Sequence, residues 1–443
     1  MPSIIVLMAA AFAVVYSFLR ALLFLRRDSR EPKPVVGTIS YLSPLLGMLI
    51  GQDKFYQRLR DETRLPIYTL NIPGVPVYIV NSLEVLQRVC SVSQAGLDKI
   101  YGDNILAHDG FLYSHQRASA QAGAPGASLN TLSRSASAVF AAAFDRIESR
   151  GRTTVDLYDF VRQATFEATM DAIILAKNAC KARKRLVAAF VDYFGQKKYL
   201  QGGSLFLELT QKVNDKTGLS LEDKARIEVG QVAAATFNTA PGAYWCVRQV
   251  LADLVVFKDC REEVMRLVDE TDGINTIDLA RVRTECPLLV STLQEGGAVL
   301  MPNSVFHTDQ SLWGPTVREF DHTRFLKTGQ RKSTTKHPAA AFRGCGGGHV
   351  LCPGRHLAST EMLALMALIL VRVDVVPPGG SWPEAKAGQS TGRAFPLPKG
   401  RTLVEFVPRA ADKWRVVFSD NDKHNTGINL VAEDIHSNKD EER

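Results

Sequence analysis

Residues 342–355 read Phe342-Arg343-Gly344-Cys345-Gly346-Gly347-Gly348-His349-Val350-Leu351-Cys352-Pro353-Gly354-Arg355, and they set one cysteine, Cys352, on a glycine-rich loop just ahead of a strong helix former over 358–369. Glycines let a backbone pass close to a bulky planar ligand and adopt φ values that a Cβ forbids. Their amides can then point at a sulfur atom. The positive end of the helix that follows favours Cys352 as a thiolate, and an ionised sulfur is what an iron centre needs. The plainer reading is a glycine-rich turn with a buried cysteine before a helix.

Outward from that loop, 443 residues with 46% hydrophobic content can bury a sizeable core. The cysteines, at 90, 180, 246, 260, 286, 345 and 352, show neither a disulfide framework nor a paired CxxC. This suits a reduced, cytosolic protein body. A balance of 53 basic against 46 acidic residues, net +7, suits an anionic membrane surface or an acidic protein partner. It is too diffuse to indicate nucleic acid.

Location comes from the N-terminus. The run Ile4 to Leu25 is apolar apart from Tyr16, Ser17 and Arg20, long enough for one helical crossing of about 30 Å. Basic residues Arg26, Arg27, Arg30 and Lys33 follow it, which by the positive-inside rule leaves the rest of the chain in the cytosol. The expectation is a single-pass anchor over 1–30. Tyr41 to Ile50 is a second apolar patch, too short to span, that rests on the interface or packs in the core.

The middle of the chain reads as mostly helical with small β-sheets, an α+β class. Residues 66–80 predict a hairpin around Pro73-Gly74. Asn81 or Ser82 then caps a short helix running to about Val89. Asp156 to Leu175 carries apolar residues at three- and four-residue steps, an amphipathic core helix. Ser220 and Asp223 open a long helix as a capping-box-like pair. Inside that helix stands Asn238-Thr239-Ala240-Pro241, where proline removes one backbone hydrogen bond. A kink opening toward a ligand would account for it, as would a structural kink with the hydroxyl bonded to its own backbone. The polar end, 431–443, is expected to fray.

The Gly-x-x-x-Cys-Pro-Gly-Arg core resembles the haem-thiolate loop of the cytochrome P-450 family, with Cys352 at the proximal iron ligand. A thiolate there pushes electron density onto iron and favours O–O cleavage. The resemblance implies haem b as cofactor, with Gly346, Gly348, His349 and Cys352 around it and Cys352 as the metal ligand. Phe320-Asp321-His322-Thr323-Arg324-Phe325 looks like the family segment whose arginine locks the loop before the cysteine. Tyr113-Ser114-His115-Gln116-Arg117 resembles its Trp-x-x-x-Arg helix, making Arg117 a candidate clamp for a haem carboxylate. Asn-Thr-x-Pro in the long helix resembles the branch holding sterol 7-hydroxylases and prostacyclin synthase. Asn238 and Thr239 are thus candidate catalytic residues on the oxygen side.

Departures accompany these matches. The family's Glu-x-x-Arg pair is here Glu295 with Ala298 in the arginine position, and the chain passes directly to Val299-Leu300-Met301-Pro302 as though a segment were absent. Cys345 stands where the family usually has phenylalanine. The resemblance implies a cytochrome P-450 fold with an N-terminal transmembrane helix (anchor 1–30, haem domain 31–430, tail 431–443). It also implies an endoplasmic-reticulum monooxygenase acting with O₂ on a hydrophobic small molecule of fungal secondary metabolism, terpenoid, sterol-like or polyketide. Electrons would come from NADPH through cytochrome P-450 reductase as partner. A haem-thiolate isomerase needing no reductase and a degenerate, non-catalytic family member are the alternatives.

Overall fold

The computed structural model describes residues 13–18, 21, 32–35, 41–72, 75–85, 111–174, 183–201, 204–297, 304–326, 341–342, 344–346, 351–388, 395–409 and 413–420. The chain divides into two compact units, one of Met1–Ser91 with Met301–Val317 and one of Val92–Leu300 with Arg318–Arg443.

In the first unit, helix α1 (Leu42–Leu46) runs through a π-helical turn, Gly47–Gly51, into α2 (Gln52–Thr63). Strands β1 (Ile67–Ile72) and β2 (Val75–Val80) form the expected antiparallel hairpin, with Ile67 opposite Val80 and Ile72 opposite Val75. Phe55, Leu59, Tyr68 and Leu70 make its core. Gly47 is required there, because a Cβ at that position would lie 2.3 Å from the Phe55 ring. Leu42, Leu46, Leu49 and Ile50 of the second apolar patch are exposed. Within Ile4–Leu25 only residues 13–18 and 21 are described, and they are helical. No helix among the described residues is long and apolar enough to cross a membrane.

The second unit is built of α3 (Phe111–Ala122), α4 (Ala127–Arg150), β3 (Thr153–Asp156), α5 (Leu157–Ile174), α6 (Arg183–Gly195), α7 (Leu205–Lys216), α8 (Leu221–Ala252) and α9 (Leu254–Met265). There follow β4 (Val268–Thr271), β5 (Ile274–Asp278), α10 (Leu279–Glu285), α11 (Pro287–Gly297), α12 (Arg355–Arg372), β6 (Val373–Val376), β7 (Leu403–Pro408) and β8 (Lys413–Val417). Two small sheets have the orders β3-β7-β6 and β4-β5-β8. The first is antiparallel throughout, while β8 joins β5 in parallel. Mostly helical with small sheets is the architecture the sequence predicts. The expected helix over 156–175 is α5, and the long helix is α8, whose Ser220 cap accepts from Asp223 N–H at 3.1 Å and donates back to the Asp223 carboxylate at 2.7 Å. The short helix after Asn81 is described only at 83–85, and the tail 431–443 lies outside the described residues.

Helix α12 is the centre of this unit. It is buried along nearly its whole length and packs against α4, α8, α9, α10 and α11. At its C-terminus stands Arg372, 1% exposed. Its guanidinium donates to Asp145 Oδ1 at 2.7 Å, to Glu148 Oε1 at 2.7 Å and to Glu148 Oε2 at 2.5 Å. The rings of Phe144 and Trp414 flank it at 5.8 and 5.9 Å. A cation at a helix C-terminus is favourable, and a guanidinium forked onto two carboxylates is among the stronger pairings available.

Replacing Arg372 with methionine strands Glu148 beside apolar rings and is expected to lower stability by roughly 3 kcal/mol. Arg372→Lys, which keeps the charge and loses the fork, is expected to fall between. Urea midpoints at constant slope check both.

Candidate functional site

Cys352 lies two residues before Gly354, the N-cap of α12. Its backbone N–H donates to Cys345 O at 2.8 Å. Gly346 has φ +80°, the left-handed region that glycine adopts without strain. Arg355 reaches back to Cys352 O at 3.2 Å. A Cβ on Gly123 would meet Pro353 O at 2.9 Å, so the end of α3 can approach Pro353 this closely only with glycine there. Cys352 has an exposed face, while Cys345 is half-buried. Burial pushes the Cys352 thiol up from its ordinary pKa, against the Gly354 amide and the Arg355 guanidinium, which pull it down. Gly348 and His349 lie outside the described residues.

Helix α3 ends at this loop and carries Arg117, an exposed guanidinium. Two residues earlier, His115 is buried and its Nδ1 lies 2.7 Å from Gln231 Nε2, joining α3 to α8. An amide N–H donating to Nδ1 places the ring proton on Nε2. Burial lowers the His115 pKa to about 4, so the ring is neutral.

Helix α8 runs unbroken through Pro241. Thr239 is buried and its hydroxyl donates to Ala235 O at 2.6 Å, the local backbone bond that a threonine one turn on can make. Asn238 is half-buried. Proline has no N–H, so Phe237 O has no helical donor four residues on. Phe237 itself is 54% exposed. Together with Gly230, whose Cβ would meet nothing within 4 Å, and exposed Ala234, it forms a small apolar stripe on one face. Elsewhere around the helix, Gly242 packs on Phe395 and on Met362 of α12. The link from the Asn238-Thr239 turn to the cysteine's helix therefore runs through a glycine contact.

The neighbourhood of α11 contains groups that the sequence did not single out. Glu263 of α9 accepts from Leu288 N and Leu289 N, each at 2.9 Å, capping α11 across 25 and 26 residues of chain. Ser291 Oγ accepts from Phe325 N at 3.1 Å. Arg324, expected to be structural, is buried and donates to Glu319 O at 2.8 Å. Helix α11 is described as far as Gly297, and Ala298 lies outside the described residues. On α12, Glu361 is buried with one carboxyl oxygen accepting from Thr169 Oγ1 at 3.0 Å and the other unpartnered. Burial raises its pKa to about 8. A lone carboxylate in an otherwise apolar helix was the available sequence signal for it.

A sulfur just ahead of the α12 N-terminus, and an exposed guanidinium on the helix whose end meets Pro353, are the donor types a haem group takes: sulfur for the iron, cation for a carboxylate.

A cytochrome P450 family model matches residues 290–406, from α11 through the cysteine loop and α12 to β7. The chain is similar to the cytochrome P450 monooxygenase nodJ of Hypoxylon pulicicidum, 23% identical over 485 residues, with 89% of this chain and 94% of that protein covered. That alignment is longer than this chain's 443 residues, so the relative has positions with no counterpart here. A cytochrome P450 monooxygenase of Gibberella zeae is 28% identical over 237 residues, 43% of this chain and 45% of that one. Cytochrome P450 714D1 of Oryza sativa subsp. japonica is 39% identical over 159 residues, 34% and 25% respectively. Of each of these last two proteins, the chain spans less than half the length.

Because Glu361 stays protonated in the folded protein up to about pH 8 and ionises near its ordinary value when unfolded, it removes stability as pH rises between those limits. Glu361→Gln is expected to be more stable than the parent at pH 8 and to lose that advantage toward pH 4.5, read from thermal midpoints across pH. The raised Cys352 thiol predicts slower alkylation by iodoacetamide at neutral pH than an ordinary exposed cysteine shows. Arg355→Ala, which removes a cation favouring the thiolate, is expected to slow it further, measured by peptide mapping.

Proposed function

We propose that this chain, a member of the cytochrome P450 family, is a haem-thiolate monooxygenase that inserts one oxygen atom from O₂ into a hydrophobic small molecule. The observation that carries this reading is Cys352, held by its N–H on Cys345 O ahead of the largely buried α12. Bound haem supplies the oxygen-activating chemistry, with electrons delivered from NADPH by a flavoprotein reductase. The chain's own residues bind, orient and tune. Cys352 is the sulfur ligand, and the Gly354 amide and Arg355 favour its ionised form. Arg117 pairs with a haem carboxylate, with Gly346, Gly348 and His349 near the ring. Asn238 and Thr239 hold water or a polar substrate atom on the oxygen side, the Thr239 hydroxyl turning from Ala235 O to do so.

The finer reading rests on resemblance. Asn238-Thr239 with Pro241 supports kinship with the sterol 7-hydroxylase and prostacyclin synthase branch. The likeness to monooxygenases of filamentous fungi supports a terpenoid, sterol-like or polyketide substrate in secondary metabolism. The run Ile4–Leu25 and the basic residues after it support anchoring in the endoplasmic reticulum membrane with the catalytic part in the cytosol. A second reading, a family member without catalysis, is supported by the sequence, in which Ala298 stands where the family carries the arginine of its Glu-x-x-Arg pair.

The protein expressed with a haem precursor is expected to give a thiolate-type absorption band for its reduced carbon monoxide complex, lost in Cys352→Ala. Haem that binds without that band, or a band that survives the substitution, overturns the assignment. Oxidation that requires NADPH and reductase separates the monooxygenase from an isomerase. Thr239→Val is expected to cut turnover roughly tenfold or more while the carbon monoxide spectrum stays unchanged.

A further inference from the structure

We propose that His322 and Asp259 are a positioning pair for Cys352, fixing in this chain the segment before the cysteine loop that an arginine on α11 would otherwise steady. The inference rests on the haem-thiolate reading above. Its starting point is a turn that shapes itself locally. Asp321 Oδ1 accepts from Thr323 N at 2.8 Å and from Thr323 Oγ1 at 2.6 Å, and Arg324 Nη2 donates to Glu319 O at 2.8 Å. These bonds shape the turn.

Contacts with α11 and α9 tie it to the rest of the unit. Phe325 N donates to Ser291 Oγ of α11 at 3.1 Å, and His322 Nε2 lies 3.0 Å from Asp259 Oδ2 of α9. The His322 side chain is 9% exposed and that of Asp259 33%, so water screens this pair less than it does a surface ion pair. Helix α9 is a rigid base for it. One turn beyond Asp259, Glu263 caps α11 with both carboxyl oxygens, and Cys260 Sγ lies 3.6 Å from Thr292 Oγ1. A single helix thus holds the start of α11 and the turn that packs on α11.

The connection continues to the sulfur. The Phe325 ring meets Phe342 edge to face, centroids 5.5 Å apart. Phe342 enters the glycine-rich loop, and three residues later Cys345 O takes the Cys352 N–H. The contacts Asp259–His322, Phe325–Phe342 and Cys345–Cys352 are joined by short stretches of chain, and the first of them is made by an acidic side chain. His322 contacts neither substrate nor iron; it acts through the loop.

The test uses the full-length protein and reads ligation rather than turnover. In the reduced carbon monoxide complex, His322→Ala and Asp259→Ala are each expected to shift the ratio of thiolate-type to non-thiolate absorption about tenfold toward the latter. The double variant is expected to match the singles, as it must if both act through one bond. His322→Gln, which keeps an N–H donor, is expected to restore most of the band. Ser204→Ala, which removes the N-cap of α7 at a comparable stability cost, is expected to leave the ratio alone. A parental ratio in His322→Ala, additive effects, or an equal shift in Ser204→Ala would overturn the proposal. Should His322→Ala fail to fold, Asp259→Asn carries the test, with a partial shift supporting the pair and none overturning it. A parent that binds no haem would sink the haem reading, not this one. The pair is then tested in the haem-free protein by alkylation of Cys352, located by peptide mapping. That rate is expected to rise several-fold in His322→Ala, and an unchanged rate refutes the role.

Discussion

A helix buried along its body makes its own backbone bonds there, but the groups of its ends still need partners. Helix α12 meets this constraint with opposite solutions. At its C-terminus the nearly inaccessible Arg372 carries positive charge to the last turn and hands it to Asp145 and Glu148 of α4. At its N-terminus the chain supplies no side-chain cap. The loop that arrives there is closed through backbone by Cys352 N–H on Cys345 O. The end anchored by side chains is the structural end. The end left to backbone amides is the one able to stabilise an anion, and it is where the sulfur stands.

Around that helix the unit divides its labour by how each neighbour tolerates close approach. Helix α8 comes near α12 through Gly242, where ring atoms of Phe395 and the sulfur of Met362 already occupy the space just beyond a Cβ. Helix α3 comes near the cysteine loop through Gly123. Bulk at either glycine would push a wall of the site outward. The charged neighbours act at longer range: α9 uses Glu263 to cap α11 and Asp259 to hold His322, so two successive turns of one helix bear on the segment before the cysteine.

Buried carboxyls show the cost of such a centre. Glu361 on α12 and Glu228 on α8 are both fully enclosed, each with one oxygen bonded and one without a partner, and burial raises both to about pKa 8. At neutral pH they are predominantly protonated, so each can donate as well as accept. Such groups tie helices together without a counter-charge, Glu361 to Thr169 and Glu228 to Gln211.

What the sequence determined by itself is whatever depends on neighbours along the chain. The Pro-Gly hairpin, the Ser220 cap, the amphipathic period of α5, the strong helix after Cys352 and the glycine loop before it all follow from residues a few positions apart, because helices, caps and turns are local hydrogen-bond problems. The tertiary structure decided what rests on partners far apart in sequence. Arg372 looks like an ordinary basic residue ending a helix until α4 brings two carboxylates to it across more than two hundred residues. Glu263 resembles a solvated helix residue until it meets the amides of α11, and His322 an ordinary turn residue until Asp259 faces it. Whether Thr239 spends its hydroxyl on its own helix, and which carboxyls lose their charge, also depended on the fold. Desolvation and pairing are set by what surrounds a group in space, and a residue's identity does not encode its surroundings.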